Sequence, residues 1–384
     1  MNKKFTIIIT YIILSFNSHL LSSENNNTLK IGLLAPLTGE YQDLGYSLLY
    51  SLQLALDEID NKNVMIIPRD SGSNNKEKLN HAIKEIRSQG AKVIIGPINN
   101  DEFEEVRKYN DLIFISPSNI NPEFQNNIIS VGISFESQIL ALSKFLKKKN
   151  RKKTVILIPK NNYTNLIDEK LNNLKISNFK IFKYNPDPKV LTGEIEILTN
   201  YSQRKRNLKL RKKMYEDKDD EESKKMLEKL EQKYTLGEVN FDSVVIIDFG
   251  NSLKSVLTSL VFTDVSQKKV LFTTLNQWFD ESIFYENTVN KLFYPSINYQ
   301  EFKNYQKKYF KTFKRYPSEI AILAYDAVGL IYYTWKKKEK INNVSDFYFK
   351  GKIKGKIGTF SFDNKKIIQD LSIYKAENKK FTKF

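Results

Sequence analysis

The sequence predicts an α/β protein of two domains with parallel strands, and two observations carry that prediction. From residue 29 onward, short apolar runs alternate with amphipathic helices, the pattern of parallel strands joined by crossover helices. The chain has 384 residues, and at roughly 100–200 residues per domain this length suits two domains.

Taken in order, residues 29–35 form a β-type run ending at Pro36, and Thr38-Gly39 is a turn. Residues 47–59 place Leu48, Leu52, Ala55, Leu56 and Ile59 on one helical face. A strand at 64–67 follows, then a helix at 76–89 with Leu79, Ala82, Ile83 and Ile86 inward and Gly90 as its stop. Strands at 92–95 and 112–115 close with Gly96-Pro97 and Ser116-Pro117. After 128–133 a second series begins: helix 136–148, strand 154–158, helix 164–174 and strand 180–184, broken by Asn185-Pro186-Asp187-Pro188.

Residues 194–235 are highly charged, with Leu208, Met214, Met226, Leu227 and Leu230 spaced for a long helix or a helical hairpin. A strand at 243–247 then ends at Asp248-Phe249-Gly250, followed by helix 251–262 and strands at 270–274 and 291–295. Helices at 299–313 and 318–335 come next. The chain finishes with an antiparallel hairpin, 357–362 and 367–374, turning at Asp363-Asn364.

Composition excludes much chemistry. The chain has no cysteine, which removes disulfides, thiolate nucleophiles, Cys-ligated zinc and iron–sulfur clusters, and the lipidated cysteine of a bacterial lipoprotein. With two histidines, His19 and His81, neither a His-centred triad nor a multi-His metal site can be assembled after export. His81 lies on a charged helix face, as a surface residue does. No Gly-rich phosphate cradle or metal signature occurs, so no cofactor is expected.

The N-terminus has Lys3 and Lys4, then an apolar run over 5–16, then Ser18, Ser22 and Ser23. This is the layout of a secretory signal, and the apolar run is shorter than the ~20 residues of a membrane span. Residues 1–23 are read as a signal peptide, leaving an exported, soluble chain with no transmembrane segment. Lys+Arg number 61 against 44 Asp+Glu, a formal charge of +17. The basic residues are spread throughout, with clusters at 147–153 and 204–213, and read as solvated helix faces; no nucleic-acid recognition motif accompanies them.

The order of motifs resembles the type I periplasmic binding proteins of the leucine/isoleucine/valine-binding family. The carrying residues are Ile31-Gly32-Leu33-Leu34-Ala35-Pro36-Leu37-Thr38-Gly39, Val93-Ile94-Ile95-Gly96-Pro97 and Ile115-Ser116-Pro117 with Asn121-Pro122-Glu123. Ala324-Tyr325-Asp326-Ala327 and Gly358-Thr359-Phe360-Ser361-Phe362-Asp363 follow late in the chain. The resemblance implies a periplasmic protein of two Rossmann-like α/β lobes with parallel sheets, joined by a three-strand hinge, with a solute in the cleft between them. It places the first lobe at 29–135 and 276–340, and the second at 136–275 and 341–384, with 194–235 as a charged helical insertion.

Loops at the carboxyl ends of the strands should then carry the ligand contacts. From the first lobe these are Asn99, Asn100, Asp101, Ser118, Asn119 and Ile120, with a helix N-terminus close behind Asn100 to favour an anionic group. From the second lobe they are Tyr163, Phe249, Asn276 and Trp278. Amino-acid-binding members resemble one another in using a serine at the position of Asn100, a threonine at that of Ile120 and an acidic residue near Asn276. Here Ile120 cannot accept a hydrogen bond and Asn276 carries no charge; Asp101 or Asp248 could take the ammonium instead. Tyr163 matches the family's stacking tyrosine.

Two roles stay open at this point. One is a solute receptor delivering an amino acid or related small polar solute to the membrane permease of an ABC importer. The other follows from the insertion, which resembles that of alphaproteobacterial penicillin-binding protein activators and implies a penicillin-binding protein as partner, with 204–213 as a docking arm. An enzyme is the weakest reading. Asp70, Asp101 and Asp248 could pair as acid and base, but no motif brings two of them together.

Overall fold

The computed structural model describes residues 28–118, 127–174, 179–285, 291–363 and 366–384. The expected signal at 1–23 lies outside the described residues, as do Asn119, Ile120 and the Asn364 turn.

Strands β1 (Leu29–Ala35), β2 (Val64–Asp70), β3 (Val93–Ile95), β4 (Ile113–Ser116) and β5 (Ile128–Ser130) form a parallel sheet in the order β2-β1-β3-β4-β5. Helices α1 (Gln42–Ile59) and α2 (Lys76–Ser88) are its first crossovers. Successive side chains of a strand point to opposite faces, and β1 uses both. Leu33 packs in one cluster with Leu48 and Leu52 of α1, while Leu34 joins a second with Leu79, Ile83 and Ile86 of α2. Asn75 caps α2 by accepting from the N–H groups of Glu77 and Lys78. Gly45 in α1 lies against the Pro36 carbonyl, where a Cβ would stand 1.9 Å from the oxygen; α1 can start this close to β1 only with glycine there.

The second sheet has seven strands in the order β15-β14-β10-β9-β8-β6-β7. Strands β6 (Thr154–Pro159), β7 (Phe179–Tyr184), β8 (Ser243–Ile246), β9 (Leu271–Thr274) and β10 (Leu292–Ser296) run parallel. Strands β14 (Ser372–Glu377) and β15 (Lys380–Lys383) extend the sheet antiparallel. Helices α4 (Phe135–Lys148), α5 (Thr164–Asn173) and, further along the chain, α9 (Gly250–Phe262) belong to this unit; the short α3 (Phe103–Val106) belongs to the first. Grouping 276 onward with the first lobe is corrected here, because Phe293 of β10 pairs with Thr273 of β9. The chain returns to the first lobe only after Ser296. There α10 (Tyr299–Phe313) and α11 (Ala321–Lys338) pack on α1, with Tyr305 Oη 2.5 Å from Ser51 Oγ and the Ser318 N–H donating to Ser47 Oγ at 2.7 Å.

A small antiparallel sheet of β11 (Lys352–Lys354), β12 (Thr359–Asp363) and β13 (Lys366–Asp370) completes the fold. The chain passes between the two large sheets after β5, after β10, and from β13 to β14.

The charged insertion is helical and is entered through a helix that starts before the charge does. α6 (Pro188–Leu198) opens at the Asp187 cap, then come α7 (Tyr201–Glu216) and α8 (Glu221–Glu231). Arg204, expected on a solvated face, is 6% exposed. Its guanidinium donates to the carbonyls of Gly237, Thr263 and Asp264 and to Thr235 Oγ1, at 2.8–3.2 Å. The other cations of α7, at 205, 206, 209 and 211–213, form no ion pair among the described residues.

Candidate functional site

The loops that leave the carboxyl ends of the strands converge on one cleft of about 520 Å³. The first lobe supplies Tyr41 after β1, Asn74 after β2, Ile98, Asn99 and Asp101 after β3, and Pro117 and Ser118 after β4. Across the cleft stand Tyr163 after β6 and Trp278 after β9, and the start of α11 adds Ile320 and Leu323.

Asp70 fixes the first two loops together. Its Oδ1 accepts from the N–H groups of Leu37 (2.8 Å) and Gly72 (3.0 Å), and its Oδ2 from Thr38 Oγ1 (2.5 Å). Burial by itself would raise its pKa, yet these donors hold the carboxylate below its usual range. Asp70 therefore holds the loops that carry Tyr41 and Asn74, and both of its carboxylate oxygens are taken up by these donors.

The third loop turns at Gly96, whose φ is +117° and whose Cβ would lie 2.2 Å from the Leu34 carbonyl oxygen; the Gly96-Pro97 bond is cis. Ser116 Oγ donates to the Pro97 carbonyl (2.5 Å) and accepts from the Ser118 N–H (3.1 Å), while Ser130 Oγ donates to the Ser118 carbonyl (2.8 Å). These bonds set Ser118 at the cleft wall. The helix expected behind Asn100 is a single 3-10 turn (Asn100–Glu102) followed by the four residues of α3. So short a helix lacks the aligned peptides of an anion-binding N-terminus. Burial raises the Glu102 carboxyl to about 7, although Ser71 and the backbone N–H groups of Asn74 and Asn99 favour its charged form.

On the second lobe, the Tyr163 N–H donates to Asn161 Oδ1 (2.9 Å), and Tyr163 is 52% exposed. Asn276 lies beneath the surface at 4% exposure. Its Oδ1 accepts from the Trp278 N–H (3.1 Å) and Ser296 Oγ (2.7 Å), and its own N–H donates to Gln138 Oε1 (2.8 Å). Asn276 therefore holds the Trp278 turn, where φ is +50° at Trp278 and +61° at Phe279. Phe249 is half exposed and does not line the cleft. Asp248 is bonded to Tyr184 Oη (2.5 Å), Ser252 Oγ (2.5 Å) and the Phe249 N–H (2.8 Å), so it is committed to its own turn.

Of the residues expected from sequence, Asn99, Asp101, Ser118, Tyr163 and Trp278 are brought together. Asn119, Ile120 and the Asn100 side chain lie outside the described residues. Tyr41 and Asn74 were missed; the rule that strand ends carry ligand contacts would have found both if applied to β1 and β2. Ile320 and Leu323 carry no local signal, because α11 reaches the cleft from a distant part of the chain. A second cavity, about 470 Å³, lies under the insertion around Arg204 and Lys269. It is bounded by one lobe, and Arg204 is already bonded to four acceptors there. Among the described residues no group of three His, Asp or Glu could hold a metal ion, and no helix is long and apolar enough to cross a membrane.

Two parallel-sheet lobes, three crossings and a cleft at the strand ends define a bilobal binding-protein fold. A model of the periplasmic binding protein family matches residues 28–166, and no curated sequence matches significantly. Among solved structures, the branched-chain amino acid transporter substrate binding protein LivJ of Streptococcus pneumoniae, in complex with isoleucine, is 17% identical with a TM-score of 0.55, over 93% of this chain and 100% of that one. An ABC-transporter solute binding protein of Rhodopseudomonas palustris, in complex with 3,4-dihydroxybenzoic acid, is 13% identical with a TM-score of 0.60, over 93% and 96%. The C-domain of Haemophilus influenzae LpoA, a regulator of PBP1A, is 14% identical with a TM-score of 0.60, over 92% and 99%. The chain spans 60% of full-length LpoA. At these identities the likenesses establish the fold: it is the type I periplasmic-binding-protein fold, similar to that of the leucine-binding proteins, with the family's sequence pattern across 28–166.

Proposed function

We propose that the chain is an exported solute-binding protein that captures an amino acid or related small polar solute in its inter-lobe cleft for ABC-type import. The observation that carries this is the cleft itself. Neutral polar groups of Asn74, Asn99 and Ser118 converge with the aromatic walls of Tyr41, Tyr163 and Trp278, drawn from both lobes, as small-molecule sites require. A ligand touching both lobes would favour the closed arrangement in proportion to its extra affinity for it, and the closed surface would be what a permease reads. The role is binding, without catalysis.

The test is a thermal-shift screen of the chain from Glu24 against amino acids, small peptides, amides and polyols. A ligand at 100 times its dissociation constant stabilises by about 2.7 kcal/mol, which moves the midpoint by several degrees. No shift across the panel counts against the receptor role.

A second reading is favoured by one observation. The exposed face of α7 presents the cations at 205, 206, 209 and 211–213 beside Leu210 and Met214, which are 61% and 60% exposed. A penicillin-binding protein partner would dock there. Replacing Lys209, Lys212 and Lys213 with Glu should then abolish capture of a penicillin-binding protein from the same cell while sparing solute binding; unchanged capture refutes docking at this face.

A further inference from the structure

The charge of the cleft runs opposite to the charge of the protein. The chain carries 61 Lys+Arg, yet none lines the cleft among the described residues, and the single charged lining residue is Asp101. Asp101 takes part in no ion pair among the described residues. Behind the Asn74 and Asn99 wall sits a second carboxyl, Glu102, 3% exposed, with its Oε1 buried and without a hydrogen-bond partner. Three aromatic rings, those of Tyr41, Tyr163 and Trp278, border the same space from both lobes.

We propose that the ligand is an organic ammonium ion with an apolar body, held by the faces of Tyr41, Tyr163 and Trp278 and by the Asp101 carboxylate. This rests on the solute-binding reading above and narrows it. Ring faces carry negative quadrupole density and attract a cation, most strongly when it is desolvated and weakly hydrated, as alkylated ammonium is. An unpaired carboxylate at the wall adds Coulomb attraction that a low-dielectric cleft screens poorly. A ligand led by a carboxylate would meet only the neutral donors of Asn74, Asn99 and Ser118 beside the negative Asp101, with no cation to neutralise it.

The experiment measures binding to the purified protein by calorimetry with matched probes. Choline and butylamine serve as cations, 3,3-dimethylbutan-1-ol and butanol as their respective neutral isosteres, and isoleucine and benzoate as zwitterion and anion. At least one cation should bind at least tenfold more tightly than its isostere, and Asp101→Asn should remove most of that advantage while leaving the unfolding midpoint unchanged. Tyr163→Phe should retain cation binding and Tyr163→Leu should lose it, since the ring and not the hydroxyl makes the contact. Binding of a neutral, zwitterionic or anionic probe as tight as that of the cations would overturn the ammonium assignment while leaving the solute-binding role standing. Absence of binding by every probe would overturn this assignment, and the receptor role falls only if the broader solute screen is also silent.

Discussion

Gln369 of β13 is bonded to Ser134 at the far end of another crossing: its Oε1 accepts from the Ser134 N–H at 3.2 Å. The same oxygen accepts from Ser137 Oγ (3.0 Å), and the Gln369 amide nitrogen donates to the Gly132 carbonyl. Ser134 is also the cap of α4, accepting from the Ser137 N–H. One side chain thus ties two of the three crossings to the first helix of the second lobe.

Gln369→Ala should leave the Ser134 N–H and the Gly132 carbonyl buried without this partner. A loss of about 2–4 kcal/mol is expected, measured by urea unfolding followed by tryptophan fluorescence. A loss below about 0.5 kcal/mol would mean that water replaces the side chain and that the hinge does not depend on it.

Arg204 should behave as a structural residue of the insertion and not as part of its charged surface. Arg204→Met strips donors from the carbonyls of Gly237, Thr263 and Asp264, costing about 2–4 kcal/mol. Proteolysis within 205–235 should quicken in this variant. Neighbouring Lys205→Met should change neither, since Lys205 is exposed.

Glu102 gives the stability a pH dependence with a definite sign. Its ordinary value of 4.5 is raised to about 7, chiefly by burial. Between these two values the folded state keeps a proton that the unfolded state releases, so stability falls as pH rises from 4.5 to 7 and is level beyond. Glu102→Gln should flatten that slope and add about 1–3 kcal/mol above pH 7. Equal slopes for both proteins in thermal unfolding from pH 4.5 to 8 would refute the assignment.

Tyr163→Ala should weaken binding of any cleft ligand at least tenfold while leaving the midpoint of the free protein unchanged. The side chain is half exposed and sits on a loop held by the backbone bond to Asn161, so little packing is lost. Undiminished affinity in calorimetry would remove Tyr163 from the site.

The elements themselves were legible because each rests on local signals. The alternation of 29–35 with the 3.6-residue face of 47–59, the Asn75 cap and the Gly90 stop all act within a few residues. The position of Tyr163 and Trp278 at the cleft was legible for a related reason: both follow strand ends. Asn276 misled because its type suits a ligand contact, while its burial under Trp278 depends on Gln138 and Ser296, far away in sequence. Arg204 misled likewise: a charged neighbourhood predicts exposure, and only the arrival of Thr235, Gly237 and Thr263 turns one cation of that run inward.

What the sequence determined by itself is the alternation of strand and helix, the absence of thiol chemistry, and the strand-end loops from which a site can be drawn. Those follow from periodicity and residue type, which are local properties of the chain. Tertiary structure alone decided that β10 joins the second sheet, that Gln369 knots the crossings, and that a chain of +17 opens a cleft whose only charged lining residue among those described is Asp101. Each of these depends on contacts between residues far apart in the chain, where hydrogen-bond geometry and the exclusion of water, not local propensity, fix the outcome.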